Sequence, residues 1–269
     1  MNAEELALLF EPPGLPSFEL PEELARLYPG TLGFPERWLY ANFVQTIDGV
    51  VALPGVHRSN RLIADASDAD HFVMALLRAC ADVVLVGSAT VRASPNAVWT
   101  AEAAYPPAAD ALLELRRRLG LEERPAIAIV TSGAGLPVAH PILERAPIVL
   151  TTEAGAARLA PELPGADVVQ LPGGERVDAG AAVAALRERG HSRILSEGGP
   201  SLFGSLVEAG LVDELFLTVS PLLAGRSLDA VLSLVEGTPL LPERRVATEL
   251  RGVRRHGARL FLRYALDSV

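Results

Sequence analysis

The stretch from Arg193 to Gly225 reads Arg-Ile-Leu-Ser-Glu-Gly-Gly-Pro-Ser-Leu-Phe-Gly-Ser-Leu-Val-Glu-Ala-Gly-Leu-Val-Asp-Glu-Leu-Phe-Leu-Thr-Val-Ser-Pro-Leu-Leu-Ala-Gly. Ile194 and Leu195 end a short apolar strand, Gly198 and Gly199 turn the chain, and Pro200 takes a first helical position, where a missing N–H is no loss. Leu202, Leu206 and Ala209 then recur at helical spacing, and Gly210 sits just past the C-terminus. A second strand, Glu214 to Ser220, follows. A strand feeding a helix through two glycines aims backbone N–H groups and the positive end of a helix dipole at one point, which suits a phosphate. The same Gly-Gly-Pro also serves as a tight turn chosen for packing, and these residues alone leave both readings open.

The pattern repeats outward from there. Val83-Val84-Leu85-Val86 is an apolar run expected to be buried on both faces, and it ends at Gly87-Ser88-Ala89-Thr90. Ala126 to Val130 ends similarly at Thr131-Ser132-Gly133, and Ile148 to Thr151 and Asp167 to Leu171 supply further strands. Helices are expected over Ser67 to Cys80, Asp110 to Leu119, Glu153 to Leu159 and Asp178 to Arg189. Ser67 is a fair N-cap, and Arg116, Arg117 and Arg118 read as a solvated C-terminal turn. Trp38 to Ala52 reads as a strand, an Asp48-Gly49 turn and a short return strand. Pro54 to Ala66, with His57, Arg58 and Ser59, reads as a lid or a solvated loop, and residues 93–108 read as loop. Val246 to Arg255 and Ala258 to Ala265 flank His256-Gly257 as a C-terminal hairpin. The expected class is therefore α/β: a mixed, mostly parallel central sheet with helices on both faces and an antiparallel hairpin at its end. One domain, residues 38–269, is preceded by a proline-rich arm, residues 1–37, whose Phe10, Phe18, Leu27 and Phe34 argue that it docks.

Composition narrows the chemistry. The chain has 269 residues, 49% of them hydrophobic, enough for a substantial core. Twenty-four basic against 33 acidic side chains give a net charge of −9, so no basic surplus is available for a nucleic-acid backbone. No apolar run reaches the length of a membrane span, and the N-terminus lacks a basic leader with an apolar core. The single cysteine, Cys80, excludes an internal disulfide, and a cytoplasmic location is expected. No phosphate-loop, nucleophile-elbow or Rossmann glycine signature is present, and five scattered histidines give no metal-site spacing.

Three segments in order resemble the RibD C-terminal reductase family. They are Asn42-Phe43-Val44-Gln45-Thr46-Ile47-Asp48-Gly49; Leu77-Arg78-Ala79 with Ala81 to Val91; and Glu197-Gly198-Gly199-Pro200-Ser201-Leu202 with Ala209 to Leu215. The resemblance implies a dihydrofolate-reductase-like three-layer fold and NADPH-dependent reduction of 5-amino-6-(5-phosphoribosylamino)uracil to its ribityl product, by a homodimer. It places cofactor contacts at Gly87, Thr90, Ser132, Gly199, Pro200, Ser201, Leu202, Phe203, Gly204 and Ser205, with Ser132 near the adenosine 2′-phosphate. It places substrate contacts at Asn42, Ser59, Arg78 and Glu197, with Arg78 on the substrate phosphate. A guanidinium suits a phosphate, and a glutamate accepts from a pyrimidine or sugar donor. The sequence departs from the family pattern at Val56 to Ile63, where a Trp-Ile-Ser or Trp-Ile-Thr ending is usual, and at Ser94-Pro95, where Asp-Asp-Pro is common. Its proline-rich arm stands where a deaminase module often precedes.

No general acid is evident. Two other functions fit the same features: reduction of a pterin, for which Asp68 or Asp70 would be the helix carboxylate, and non-catalytic binding of NADPH by a dimer. The dimer surface is expected along Leu215 to Leu223.

Overall fold

A computed structural model describes residues 5–56, 58–225 and 231–267; His57 of the polar segment lies outside them. In chain order the elements are β1 (Ala7–Phe10), α1 (Glu22–Leu27), β2 (Trp38–Thr46), α2 (Ser59–Ala64), α3 (Asp68–Ala79), β3 (Val83–Gly87), α4 (Ser88–Ala93), α5 (Ala101–Ala104) and α6 (Ala109–Arg118). The second half adds β4 (Ala126–Thr131), β5 (Ile148–Thr151), α7 (Glu153–Leu159), β6 (Asp167–Gln170), α8 (Ala179–Glu188), β7 (Arg193–Ser196), α9 (Pro200–Glu208), β8 (Glu214–Ser220), β9 (Thr248–His256) and β10 (Arg259–Leu266). All ten strands form one sheet in the order β1-β9-β10-β8-β2-β7-β3-β4-β5-β6. β8, β2, β7, β3, β4, β5 and β6 run parallel, and β10, β9 and β1 are antiparallel additions.

Alternation along the central strands divides the core in two. Tyr40, Val84, Val86, Ile127, Leu195 and Phe216 join Leu76 and Leu77 of α3 and Leu112 of α6 on one face. Leu39, Leu85, Ala128, Ile194 and Leu217 join Val183 and Leu186 of α8 and Phe203 and Leu206 of α9 on the other. Both faces of the parallel strands are thus covered, as unbroken apolar runs require.

Polar side chains fix how these layers meet. Asp82 accepts from the Ser192 and Arg193 amides at 2.8 and 2.6 Å, setting β7 beside β3, and Asp213 accepts from the Leu39 amide at 2.6 Å. Arg116 departs from expectation: it is 1% exposed, and its Nη1 donates to the carbonyls of Arg78, Ala79 and Ala81 at 3.0, 3.2 and 2.8 Å. It caps the C-terminus of α3, a favourable end for a cation, so of the three adjacent arginines it is not on a solvated face.

Other expectations shift in detail. The return strand after Asp48-Gly49 does not form; Ala52 makes only an isolated bridge to Leu232. The polar segment contains α2, and the expected loop at 93–108 contains α5 and a 3-10 turn at Pro106–Ala108. The arm docks: Leu6 and, from α1, Leu24 and Leu27 enter the core, and β1 extends the sheet. Glu11 pairs with buried Arg254 at 2.6 Å, and the Arg254 guanidinium lies 3.9 Å from the Tyr28 ring centroid.

Asp48 organises the turn after β2. Its carboxylate accepts from the Thr46 hydroxyl at 2.5 Å and from the Ala224 and Gly225 amides at 3.1 and 2.8 Å. These bonds favour the ionised form and lower its pKa to about 2. The lowered value means that its contribution to stability is complete above the ordinary aspartate range and is lost as pH falls through about 4 toward 2. Acid unfolding of Asp48→Asn should lack that component; identical acid transitions in both proteins would count against it.

Candidate active site

The C-terminal ends of the parallel strands meet where strand order reverses. From β3 the chain moves outward to β4, β5 and β6, whereas from β7 it passes through α9 to β8, on the far side of β2. The crevice between the ends of β7 and β3 is therefore a topological switch point, where ligands bind in open α/β sheets.

Gly87 ends β3 and Gly199 caps α9, and both are open. A Cβ at Gly87 would meet nothing within 4 Å, and one at Gly199 would stand 3.4 Å from Thr90 Oγ1. Gly87, Thr90 and Gly199 are thus brought together. No side chain caps α9, Pro200 is its first residue and its first turn carries no acid, so its leading N–H groups face the crevice without a protein anion. Gly198 has a different reason to be glycine, because a Cβ there would lie 2.6 Å from Leu202 Cδ2.

The expected cofactor contacts on α9 divide accordingly. Ser201 is exposed in the first turn, and Ser205 is partly buried, donating to the Ser201 carbonyl at 3.1 Å. Phe203 is 2% exposed and packs on Phe43 with ring centroids 4.9 Å apart. A Cβ at Gly204 would lie 2.5 Å from the Glu236 carbonyl oxygen. Core packing occupies the Phe203 side chain, and the segment crossing over α9 closes on Gly204. Pro200 is buried, and Leu202 covers Gly198.

Ser132 is exposed at the end of β4. Its loop closes on α7, where Gly133, at φ +95°, would place a Cβ 2.5 Å from Gly155 Cα, so only glycine fits. Arg92 of α4 reaches this loop and donates to the Gly135 carbonyl at 2.7 Å. Among the described residues no carboxylate forms an ion pair with it.

On the α3 face, Arg78 and Glu197 form a buried fork, Nε to Oε1 at 2.8 Å and Nη2 to Oε2 at 2.6 Å, with both side chains 8% exposed. Arg78 Nη1 also donates to the Thr100 carbonyl at 3.3 Å. Arg78, expected on a substrate phosphate, here directs its fork at the Glu197 carboxylate, whose charge it balances. Asn42 shares the face, opening on a narrow crevice with Val73, Phe216 and Thr218. Ser59 is buried at the start of α2, which packs beside β2.

Asp70 joins this group from the first turn of α3. Burial pushes its carboxyl above the ordinary aspartate value, opposed by the Thr218 hydroxyl, His71 and Arg259, while nearby Glu197 adds to the rise. In the sequence the matching signal is Thr218, a polar residue, 2% exposed, inside the apolar run Leu215 to Val219 of β8. No cluster of three or more potential metal ligands occurs among the described residues.

A family model for the RibD C-terminal domain matches residues 37–261. The chain belongs to the RibD C-terminal domain family. A 2,5-diamino-6-ribosylamino-4(3H)-pyrimidinone 5′-phosphate reductase of Archaeoglobus fulgidus is 28% identical over 193 residues, covering 70% of this chain and 82% of that protein. Among solved structures, a pyrimidine reductase-like protein from Corynebacterium diphtheriae superposes with TM-score 0.66 at 21% identity, covering 93% of this chain and 96% of that one. A riboflavin biosynthesis reductase from Saccharomyces cerevisiae gives 0.56 at 17% identity, covering 88% and 93%. The fold is thus shared by this RibD-type chain and proteins of low identity.

Proposed function

We propose that this RibD-type chain is a pyrimidine reductase of riboflavin biosynthesis, using NADPH to reduce the ribosyl group of 5-amino-6-(5-phosphoribosylamino)uracil to the ribitylamino product. The observation that carries the reading is the open space at Gly87 and Gly199, where β3 and β7 end, with Gly199 beside Thr90 and two residues beyond Glu197, which Arg78 holds in a fork. Gly87, Thr90, Gly199 and Ser201 would hold the pyrophosphate region of a dinucleotide on uncapped N–H groups. When bound, the dihydronicotinamide supplies the hydride. Glu197, held by Arg78, offers its remaining lone pairs to a pyrimidine or ribose donor, and Asn42 adds an amide; Arg58 and Arg61 of the segment around Ser59 are exposed guanidiniums for the phosphate. The A. fulgidus relative supports the substrate class. Incubating the protein with NADPH and the deaminated or the diamino riboflavin precursor, and following loss of 340 nm absorbance, about the nicotinamide maximum, tests the reading. Oxidation with dihydrofolate alone would favour the pterin reading that Asp70 keeps in view, and binding without oxidation would favour a sensor.

Preference for NADPH over NADH rests on the loop after β4. Exposed Ser132 and Arg92, a cation without a carboxylate partner among the described residues, stand where a 2′-phosphate would lie beyond the adenosine. A charge-assisted contact of about 1.5–3 kcal/mol predicts that Arg92→Ala weakens NADPH by roughly ten- to a hundred-fold and leaves NADH unchanged. Equal losses for both cofactors in titration calorimetry would move the adenosine site elsewhere.

A homodimer fits a surface other than the one expected. β8 lies between β10 and β2, and Leu215 and Leu217 are buried, so of the expected Leu215 to Leu223 surface only the continuation past β8, with Leu223 at 75% exposure, is open. Edge strand β1 instead presents Leu8, Leu9 and Phe10, at 41%, 53% and 45% exposure, consecutively. Light scattering should give a dimer mass, reduced toward the monomer by Leu9→Glu with Phe10→Glu; a wild-type monomer at micromolar concentration would remove the proposal. No helix among the described residues is long and apolar enough to cross a membrane. A reducing, cytoplasmic setting agrees with one cysteine, Cys80, whose thiol burial pushes up to about 12.

A further inference from the structure

The segment that leaves α4 is held by its carbonyl oxygens. His140 Nε2 donates to the Ser94 carbonyl at 2.9 Å, and its Nδ1 accepts from the Ile142 amide at 3.0 Å, which leaves the ring proton on Nε2. Arg145 donates from Nη1 to the Val98 carbonyl and from Nη2 to the Pro125 carbonyl, the latter at 2.9 Å. Arg78 donates from Nη1 to the Thr100 carbonyl at 3.3 Å. Between Val98 and Thr100 stands Trp99, 3% exposed, at φ +49°. A bulky side chain rarely takes that left-handed conformation, which persists only where the surroundings impose it. The indole also lies against the His140 ring, with centroids 6.1 Å apart. Trp99 is therefore fixed on both sides along the chain and through its ring.

The carbonyl that follows Trp99 reaches the candidate site. Arg78 gives Nε and Nη2 to Glu197 at 2.8 and 2.6 Å, so the bond from Nη1 to Thr100 fixes the remaining corner of the guanidinium, and with it the plane in which the fork is presented. Glu197 follows β7, and its amide donates to the Leu85 carbonyl at 3.0 Å. A continuous path thus runs from Arg145 through Val98, Trp99, Thr100 and Arg78 to Glu197, with a strained residue in its middle. Relaxing Trp99 to a negative φ rotates the chain that follows, and the Thr100 carbonyl with it. We propose that Arg145 is a positioning residue for Glu197: it holds Val98 so that left-handed Trp99 aims the Thr100 carbonyl at Arg78, which sets the orientation in which Glu197 meets the substrate. The inference rests on the pyrimidine-reductase reading above for the task of Glu197; the path itself does not depend on it.

The test is Arg145→Met in the full chain, with two readouts. Nitrogen-15 NMR of the Arg78 Nε–H follows the fork directly, and its exchange with solvent should be at least about tenfold faster in the variant. In steady-state kinetics KM for the pyrimidine should rise about tenfold, while NADPH affinity, assigned to Gly87, Thr90 and Gly199, stays within about twofold. Arg145→Lys, which reaches one carbonyl but does not fork across two, should fall between. Should Arg145→Met fail to fold, Trp99→Gly and Trp99→Ala take its place. Both lose the indole, but only glycine accepts a positive φ without strain, so the glycine variant should keep the lower KM and the slower Arg78 exchange. Equal values for those two variants overturn the proposal. So does an Arg145→Met protein with unchanged Arg78 exchange, with KM within about twofold of wild type, or with equal losses of pyrimidine and NADPH affinity. Faster Arg78 exchange in the variant, with a wild type that binds NADPH and reduces no pyrimidine, upholds the path to Glu197 and overturns the reductase reading instead.

Discussion

Arg78→Ala is expected to lower the free energy of unfolding by about 3–5 kcal/mol, because it leaves the Glu197 carboxylate buried beside α3 with no counter-charge. The two side chains are each 8% exposed, so water cannot replace the missing fork without opening the layer between α3 and β7. Urea unfolding, read as a midpoint shift at constant slope, measures the loss. On the proposed reductase reading, activity should fall with it, since Glu197 would no longer be held for the substrate. Arg78→Lys keeps a charge but not a two-pronged donor, and should recover only part of both quantities. The double variant Arg78→Met with Glu197→Leu separates the roles: replacing both partners with apolar groups should restore most of the stability while leaving the protein inactive. A loss below about 1 kcal/mol for Arg78→Ala would place the pair among solvated ion pairs and reopen Arg78 as a phosphate ligand.

Glu11→Ala is expected to cost about 3 kcal/mol and to release the arm from the sheet. Arg254, 1% exposed, would keep its bonds to the Pro29 and Thr31 carbonyls and its place over Tyr28, but it would lose its carboxylate. Glu11 also accepts from the Thr31 amide at 2.9 Å, so the turn that leads into β2 loses a second bond. Limited proteolysis should then cut within the first thirty or so residues, a region of the kind cleaved when its anchors are weak. A variant that unfolds and is digested like the wild type would show that apolar docking of Leu6, Leu24 and Leu27 suffices.

The layers of this fold were legible because the strands carry unbroken apolar runs and the helices carry periodic ones. Val83 to Val86, the helix ending at Cys80 and the Gly-Gly-Pro turn each lie where those patterns place them. Side-chain roles were less legible, for a physical reason. An arginine at the end of a helix looks the same in sequence whether it faces water, like Arg117, or fills the end of another helix, like Arg116. Likewise Arg78 and Glu197 were both read as ligand contacts; their mutual partnership joins positions 78 and 197 and has no local spacing. Gly198, Gly199 and Gly204 form one glycine-rich run, yet one lies under Leu202, one opens on the crevice and one meets a carbonyl from residue 236. Only the neighbours supplied by the fold tell them apart.

The position of β7 also dictates when the site can exist during synthesis. β2 emerges early, but both its neighbours, β7 and β8, are made after more than half the chain has followed. The β3 to β6 portion can assemble from nearby segments, whereas β2 must wait with its apolar faces unmatched, and α3 waits with Arg78 lacking Glu197. Pairings so distant along the chain slow folding and prolong the exposure of unmatched strand edges. A ribosome-bound chain stopped before Arg193 should therefore hold a partly folded intermediate that associates with chaperones, and release of the next thirty or so residues should complete the parallel strands by adding β7 and β8, leaving the outer edge of β8 for β10 to cover.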